Sequence, residues 1–96
     1  MLTKNEILEK LKELKPFLQQ EFNVKEIGLF GSYSENKQDH KSDIDILVEL
    51  DKPIGWKFFT LEKYLEEVLG RKVDLVTKKA LKKPLKDKIL NQTLFL

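Results

Sequence analysis

Residues 43–48 read Asp-Ile-Asp-Ile-Leu-Val. The alternation that opens this run predicts a β-strand with two unlike faces, because successive side chains leave a strand on opposite sides. Ile44 and Ile46 then face a core, while Asp43 and Asp45 leave together on the other side. Two carboxylates about 7 Å apart at Cα repel each other, and a divalent cation between them is the usual relief. An isolated pair reads more simply as the solvated half of a strand. Asp is a poor strand former, however, and two on one face call for a reason.

Composition decides which chemistry such a strand can join. The 96 residues include no Cys, one His (His40) and one Arg (Arg71). That excludes a disulfide framework, a thiolate zinc site, a Cys nucleophile and any multi-His metal site within the chain. A Ser-His-Asp triad would have to rest on His40. A metal site must use oxygen ligands, which suits Mg²⁺ or Mn²⁺ better than zinc. The length predicts a single domain over residues 1–96. Residues 1–6 do not lead into the apolar run of a signal peptide, and no apolar run approaches the roughly 20 residues of a membrane span. A soluble, cytoplasmic protein without membrane contact is expected.

The remaining elements alternate in type. Thr3-Lys4-Asn5-Glu6 has the form of a capping box, and Ile7, Leu8, Leu11, Leu14 and Leu18 follow at helical spacing. Pro16 predicts a kink or break at Lys15, with a short helical turn continuing to about Phe22. Strands are expected over residues 26–30, 43–50 and 71–77, and helices over 56–69 and about 84–91. Gly70 suits the end of the second helix. Thr93-Leu94-Phe95-Leu96 is an edge strand or a partner-binding tail. The order predicts an α/β (α+β) domain of two layers, a small mixed sheet with helices packed on it.

Two further features bear on chemistry. Gly31-Ser32 closes the first strand, and consecutive amides at a Gly turn can hold a phosphate, although the dipeptide alone also suits an ordinary turn. Asp74 interrupts the apolar run Val73-Asp74-Leu75-Val76. It is either an edge-strand residue facing water or, if its strand lies beside the second, a third carboxylate of one site.

Together the stretches Leu29-Phe30-Gly31-Ser32-Tyr33-Ser34, Ser42-Asp43-Ile44-Asp45-Ile46-Leu47-Val48 and Val73-Asp74-Leu75-Val76 resemble the minimal nucleotidyltransferases (MNT) of the DNA polymerase β-type superfamily. The resemblance implies that Asp43 and Asp45 ligate two Mg²⁺ ions (Mn²⁺ as a substitute). Asp74 would complete the metal and catalytic set on the acceptor side. Gly31, Ser32 and Ser42 would serve the nucleotide, most simply ATP, with Gly31 and Ser32 on its β- and γ-phosphates. It further implies AMP transfer to a hydroxyl. In this family the acceptor is commonly a tyrosine of a HEPN-domain toxin whose antitoxin is the transferase. Catalysis by two metals leaves little covalent work for side chains, in keeping with the scarcity of His and Cys.

The chain departs from the family after Gly-Ser-x. Ser34-Glu35-Asn36 stands where Ala-Arg-Gly is usual. Asn36 is expected at positive φ, and Glu35 puts an acid in place of a cation that only Lys37 or Lys41 is near enough in sequence to replace. This departure motivates an alternative: a nucleotidyltransferase-fold protein that neutralises its partner by contact, through Leu94-Phe95-Leu96 and the Lys-rich stretch 78–88. Residues 1–70 carry 10 Lys and 14 acids, whereas residues 71–96 carry 8 basic and 2 acidic residues. The basic tail raises nucleic-acid binding as a third reading, disfavoured because it has one Arg and no interleaved aromatics. A homo-oligomer is left open.

Overall fold

The computed structural model describes residues 2–39 and 41–96; His40, the only residue on which a triad could be built, lies outside them. Helix α1 (Lys4–Phe22) begins at the expected box. The Thr3 hydroxyl accepts from the Glu6 amide at 3.1 Å, and the Thr3 amide donates to the Glu6 carboxylate at 3.0 Å. These bonds hold the Glu6 carboxyl below its ordinary pKa. The break expected at Pro16 does not occur: α1 runs through it. Pro16 is exposed, and buried Ile7 and Leu11 before it and Leu18 and Phe22 after it lie on one continuous stripe. Anchoring on both sides offsets the lost hydrogen bond and the ring's clash with the preceding turn. Asn23 ends α1 in the left-handed conformation, at φ 56°.

Strands β1 (Val24–Phe30) and β2 (Ile44–Leu50) pair antiparallel, with Phe30 opposite Asp45. Helix α2 (Lys57–Leu69) ends at Gly70 and crosses over to β3 (Val73–Thr77), which pairs parallel with β2. A 3₁₀ turn at Lys78–Ala80 leads to α3 (Leu85–Gln92) and to the short β4 (Leu94–Phe95), antiparallel to β1. The sheet is mixed, in the order β3-β2-β1-β4. The tail is therefore an edge strand, and the Leu96 amide extends the pairing to the Ile27 carbonyl at 3.1 Å. Gly28 permits this approach: a Cβ there would lie 2.5 Å from Thr93 Cγ2.

The core lies between the sheet and helices α1 and α2. Ile44, Ile46 and Val48 of β2 pack with Ile7, Leu11 and Leu18 of α1 and Leu61 and Leu65 of α2. The alternation read at residues 43–46 thus fixes the buried face, and Asp45 emerges on the other. Helix α2 also supports the outer edge of β3. Glu66 Oε2 accepts from the Val73 amide at 3.0 Å and Glu62 Oε2 from the Leu75 amide at 3.4 Å. These side chains occupy donors that an edge strand otherwise leaves open.

Candidate active site

One end of the sheet gathers the residues singled out above. Asp45 is the second residue of β2, Asp74 is the second residue of β3, and the two are register partners. Parallel neighbours in register put their side chains on one face, about 4.8 Å apart along the hydrogen-bonding direction. Asp43 precedes Asp45 by two residues on the same side. Asp43 and Asp74 are exposed, whereas Asp45 is half-buried. Burial, then Asp74, then Asp43 push the Asp45 carboxyl up to about 6. The site lacks compensating positive charge, and Asp45 is where that lack is felt.

The turn after β1 closes over Asp45. Gly31 has φ +75°, and a Cβ on it would fall 2.1 Å from Asp45 Oδ2. No L-side chain fits there, because both the backbone conformation and the space are taken. The Gly31 carbonyl accepts from Ser34 Oγ at 2.8 Å and from the Glu35 amide at 3.3 Å, and the Lys37 amide donates to the Ser32 carbonyl at 2.8 Å. Asn36 closes the turn at φ 57°, as expected for a Gly substitute. Tyr33 anchors it by burying its ring completely. The amides of Ser32, Tyr33 and Ser34 donate to no acceptor among the described residues. Consecutive amides without an intramolecular acceptor beside a Gly turn are donors of the kind that a phosphate-binding concavity uses.

Glu35 is exposed and pairs with Lys37 at 3.4 Å. Lys41 is exposed on the following loop. Ser42 lies just before Asp43. Its hydroxyl accepts from the Asp39 amide at 2.9 Å and donates to Asp39 Oδ1 at 3.3 Å, so in this conformation it organises the loop.

Two residues of the site carry no local signal in the sequence. Gln92, at the end of α3, accepts the Gly31 amide on Oε1 at 3.1 Å. Arg71 donates from Nη2 to the Ser42 carbonyl at 2.6 Å, pinning the loop just before Asp43. Arg71 is the single Arg of the chain, and it positions the metal-ligand candidates from behind.

Among the described residues, no three acids or histidines lie close enough together to hold a metal ion by themselves. Asp43, Asp45 and Asp74 form an open row of hard oxygen donors. An open row fits Mg²⁺, which takes one or two carboxylates and completes its shell with water and substrate phosphates.

A sequence profile for the family described as a nucleotidyltransferase domain matches residues 11–96. The chain belongs to this family. Among its relatives, the protein adenylyltransferase MntA of Thermococcus cleftensis is 43% identical over 96 residues, covering 99% of this chain and 97% of its own. The Methanocaldococcus jannaschii protein MJ0128, named as a candidate protein adenylyltransferase, is 48% identical over 95 residues and covers 98% of this chain and 97% of its own. A solved minimal nucleotidyltransferase superimposes with a TM-score of 0.84 over 97% of this chain and 95% of that one, which at 20% identity speaks for the fold alone. A chain of a toxin–antitoxin crystal structure with AMP-PNP is 29% identical, with a TM-score of 0.70 over 98% of this chain and 72% of its own. The resemblance drawn from the Gly-Ser and Asp-x-Asp stretches is borne out. The chain belongs to the nucleotidyltransferase family by sequence and has the fold of a minimal nucleotidyltransferase, and it belongs among enzymes.

Proposed function

We propose that this nucleotidyltransferase transfers AMP from ATP, with Mg²⁺, to the hydroxyl of a tyrosine on a HEPN-domain toxin, and so acts in the cytoplasm as that toxin's antitoxin. The observation that carries the reading is a juxtaposition: Asp45, in register with Asp74, lies directly against Gly31, whose turn holds three amides that find no acceptor among the described residues. A nucleoside triphosphate bridged by cations satisfies carboxylates and amides at once. Relatives named as protein adenylyltransferases support the choice of AMP. A structure of a tri-AMPylated HEPN toxin from Shewanella oneidensis in complex with its MNT antitoxin, in which the matched chain is 27% identical with a TM-score of 0.60, supports the choice of partner.

In this reading Asp43, Asp45 and Asp74 are the residues that would hold Mg²⁺, whose charge when bound would ease loss of the acceptor's proton and offset the charge of the departing pyrophosphate. The amides of Ser32, Tyr33 and Ser34 bind the β- and γ-phosphates, and Gly31 lets that backbone lie against Asp45. Ser42 keeps the loop before Asp43 in place and can turn its hydroxyl to the nucleotide. Asp74 accepts a hydrogen bond from the tyrosine hydroxyl and receives its proton. The tyrosine oxygen bonds to the α-phosphorus as the bond to pyrophosphate breaks. The groups involved are carboxylates and backbone amides, so chemistry proceeds without His or Cys.

The test is incubation with α-labelled ATP, Mg²⁺ and the HEPN-domain protein of the same genome. Label on the partner is expected with wild type and is expected to vanish with Asp43→Ala/Asp45→Ala. Equal, negligible transfer by both would sink the reading. Neutralisation of the toxin by the double variant would favour binding without catalysis, the reading that Glu35 motivates.

A further inference from the structure

A cavity of about 400 Å³ opens at the other end of the parallel strands, between the ends of β2 and β3 and the start of α2. Glu49, four residues beyond Asp45 on β2, lines it, so it lies about 13 Å from the carboxylate row at 3.3 Å per residue. This is a separate feature from the site above. Leu50, Ile54 and Phe58 supply apolar lining, and Lys52, Lys78, Lys79 and Lys86 stand around it. None of these four lysines pairs with a carboxylate among the described residues, whose ion pairs involve Lys37, Lys57 and Lys83. Against them the lining holds two acids, Glu49 and Asp51, which leaves a net charge of +2.

The turn that forms one wall also carries an exposed aromatic pair. Trp56 is 85% exposed and Phe59 58% exposed, with ring centroids 5.8 Å apart, and Phe58 meets Phe59 edge-on at 6.0 Å. A tilted Trp–Phe pair left in water beside an apolar cavity forms a patch of the kind that protein partners cover.

We propose that this end of the molecule is the docking surface for the acceptor protein, and that its occupant is an acidic segment carrying a bulky apolar side chain. The inference rests on the reading that the acceptor is a protein. The apolar side chain fills the cavity over Leu50, Ile54 and Phe58, carboxylates of the segment meet the lysines, and the partner's surface covers Trp56 and Phe59. Lysines are mobile point charges that accept carboxylates without strict geometry, and no Arg fork is present for phosphate. The exposed aromatic pair extends beyond what a small molecule held in the cavity would cover. Such a surface gives the transferase a hold on its substrate away from the reacting atoms.

Two variants test this, Lys78→Glu/Lys79→Glu and Trp56→Ala, each with an unchanged thermal midpoint as the check on folding. With the cognate HEPN-domain protein as acceptor, the KM for that acceptor is expected to rise 10-fold or more, while KM for ATP and kcat at saturating acceptor stay within 2-fold. Lys78→Arg/Lys79→Arg should retain wild-type KM. An unchanged acceptor KM in both variants overturns the proposal while leaving protein adenylylation intact. If wild type transfers no AMP, that reading fails by itself, and docking is read by calorimetry: lost binding in the variants supports the surface and retained binding overturns it. Salt-sensitive binding of a single-stranded oligonucleotide, abolished by the double Lys variant while acceptor KM is unchanged, overturns it in favour of nucleic acid. Conversion of a wild-type dimer to a monomer by Trp56→Ala, again at unchanged acceptor KM, overturns it in favour of a second copy of the chain.

Discussion

Asp45 ties the stability of this protein to its charge state in a direction opposite to that of most surface carboxylates. Its carboxyl is pushed from 3.8 to about 6, first by burial and then by Asp74 and Asp43. A raised acid binds its proton more tightly in the folded state than in the unfolded one. Stability from this group is therefore full below about pH 3.8, falls as pH rises, and is lost above about 6. A displacement of that size corresponds to a ceiling of about 3 kcal/mol at 1.36 kcal/mol per tenfold. Solvent reaches the open side of the site, which cuts this to about 1 kcal/mol. Asp45→Asn removes the ionisation at nearly constant shape. Without divalent metal at pH 7.5 the variant should melt about 5 °C above wild type, given the roughly 4–8 °C per kcal/mol of a chain this size. At pH 4.5 that gap should shrink by more than half. If the proposed function holds, Mg²⁺ with a non-hydrolysable ATP analogue should raise the wild-type midpoint and leave the variant's nearly unmoved, because on that reading the Asp45 charge would hold the cation. Differential scanning fluorimetry at the two pH values, with EDTA and with Mg²⁺, makes the comparison. Equal midpoints at pH 7.5 without metal, or a gap that does not narrow at pH 4.5, would refute the claim that burial, with Asp74 and Asp43 beside it, disfavours the ionised Asp45.

Gly31→Ala should lower kcat by about 100-fold, since a Cβ placed 2.1 Å from Asp45 Oδ2 must move that carboxylate by about 1 Å, and it should cost about 1–2 kcal/mol of stability through the positive φ. Single-turnover AMP transfer and a urea melt measure the two effects. Gln92→Ala should weaken the hold on the Gly31 amide by about 1 kcal/mol and raise KM for ATP several-fold, with Gln92→Glu rescuing it because the acceptor oxygen is kept. Glu35→Arg should lower KM for ATP several-fold by placing a cation beside the amide turn, with kcat little changed, as a steady-state titration of ATP would read. Truncation after Thr93 removes β4 and the Leu96 bond to Ile27, so the thermal midpoint should fall and the outer edge of β1 should lose its amide protection in hydrogen exchange.

What was legible in the sequence is what depends on neighbours along the chain. The alternation at 43–46 gave the buried face of β2, the Thr3–Glu6 box gave the start of α1, and Gly70 gave the end of α2. Pro16 misled because proline's local cost is fixed while the anchoring that outweighs it comes from Leu18 and Phe22 packing across the core. Asp74 could be named as a third carboxylate, but its place directly across from Asp45 is a matter of register. That register is set by the α2 crossover and the side-chain bonds from Glu62 and Glu66 to the amides of β3. Gln92 was invisible for the same reason. It sits 61 residues from Gly31 in sequence, and only the pairing of β4 with β1 brings them together.

That pairing also reassigns the C-terminal quarter of the chain. The sequence offers its basic, apolar-ended tail as a surface for a partner. In the fold, Leu94 and Phe95 are spent on the sheet edge, Gln92 on the active-site turn, and Lys15 on the carbonyl of Leu96. The lysines that remain unpaired near a cavity, Lys78, Lys79 and Lys86, lie at the opposite end of the sheet from the carboxylates. The +6 of residues 71–96 is thus divided by the fold. Arg71 braces the loop carrying Asp43, whereas Lys78, Lys79 and Lys86 line the cavity at the far end of β2 and β3. The separation has a chemical use. Cations crowded beside Asp43, Asp45 and Asp74 would compete with metal for those carboxylates, whereas at the far end they can hold a partner without lowering the negative potential that the metal requires.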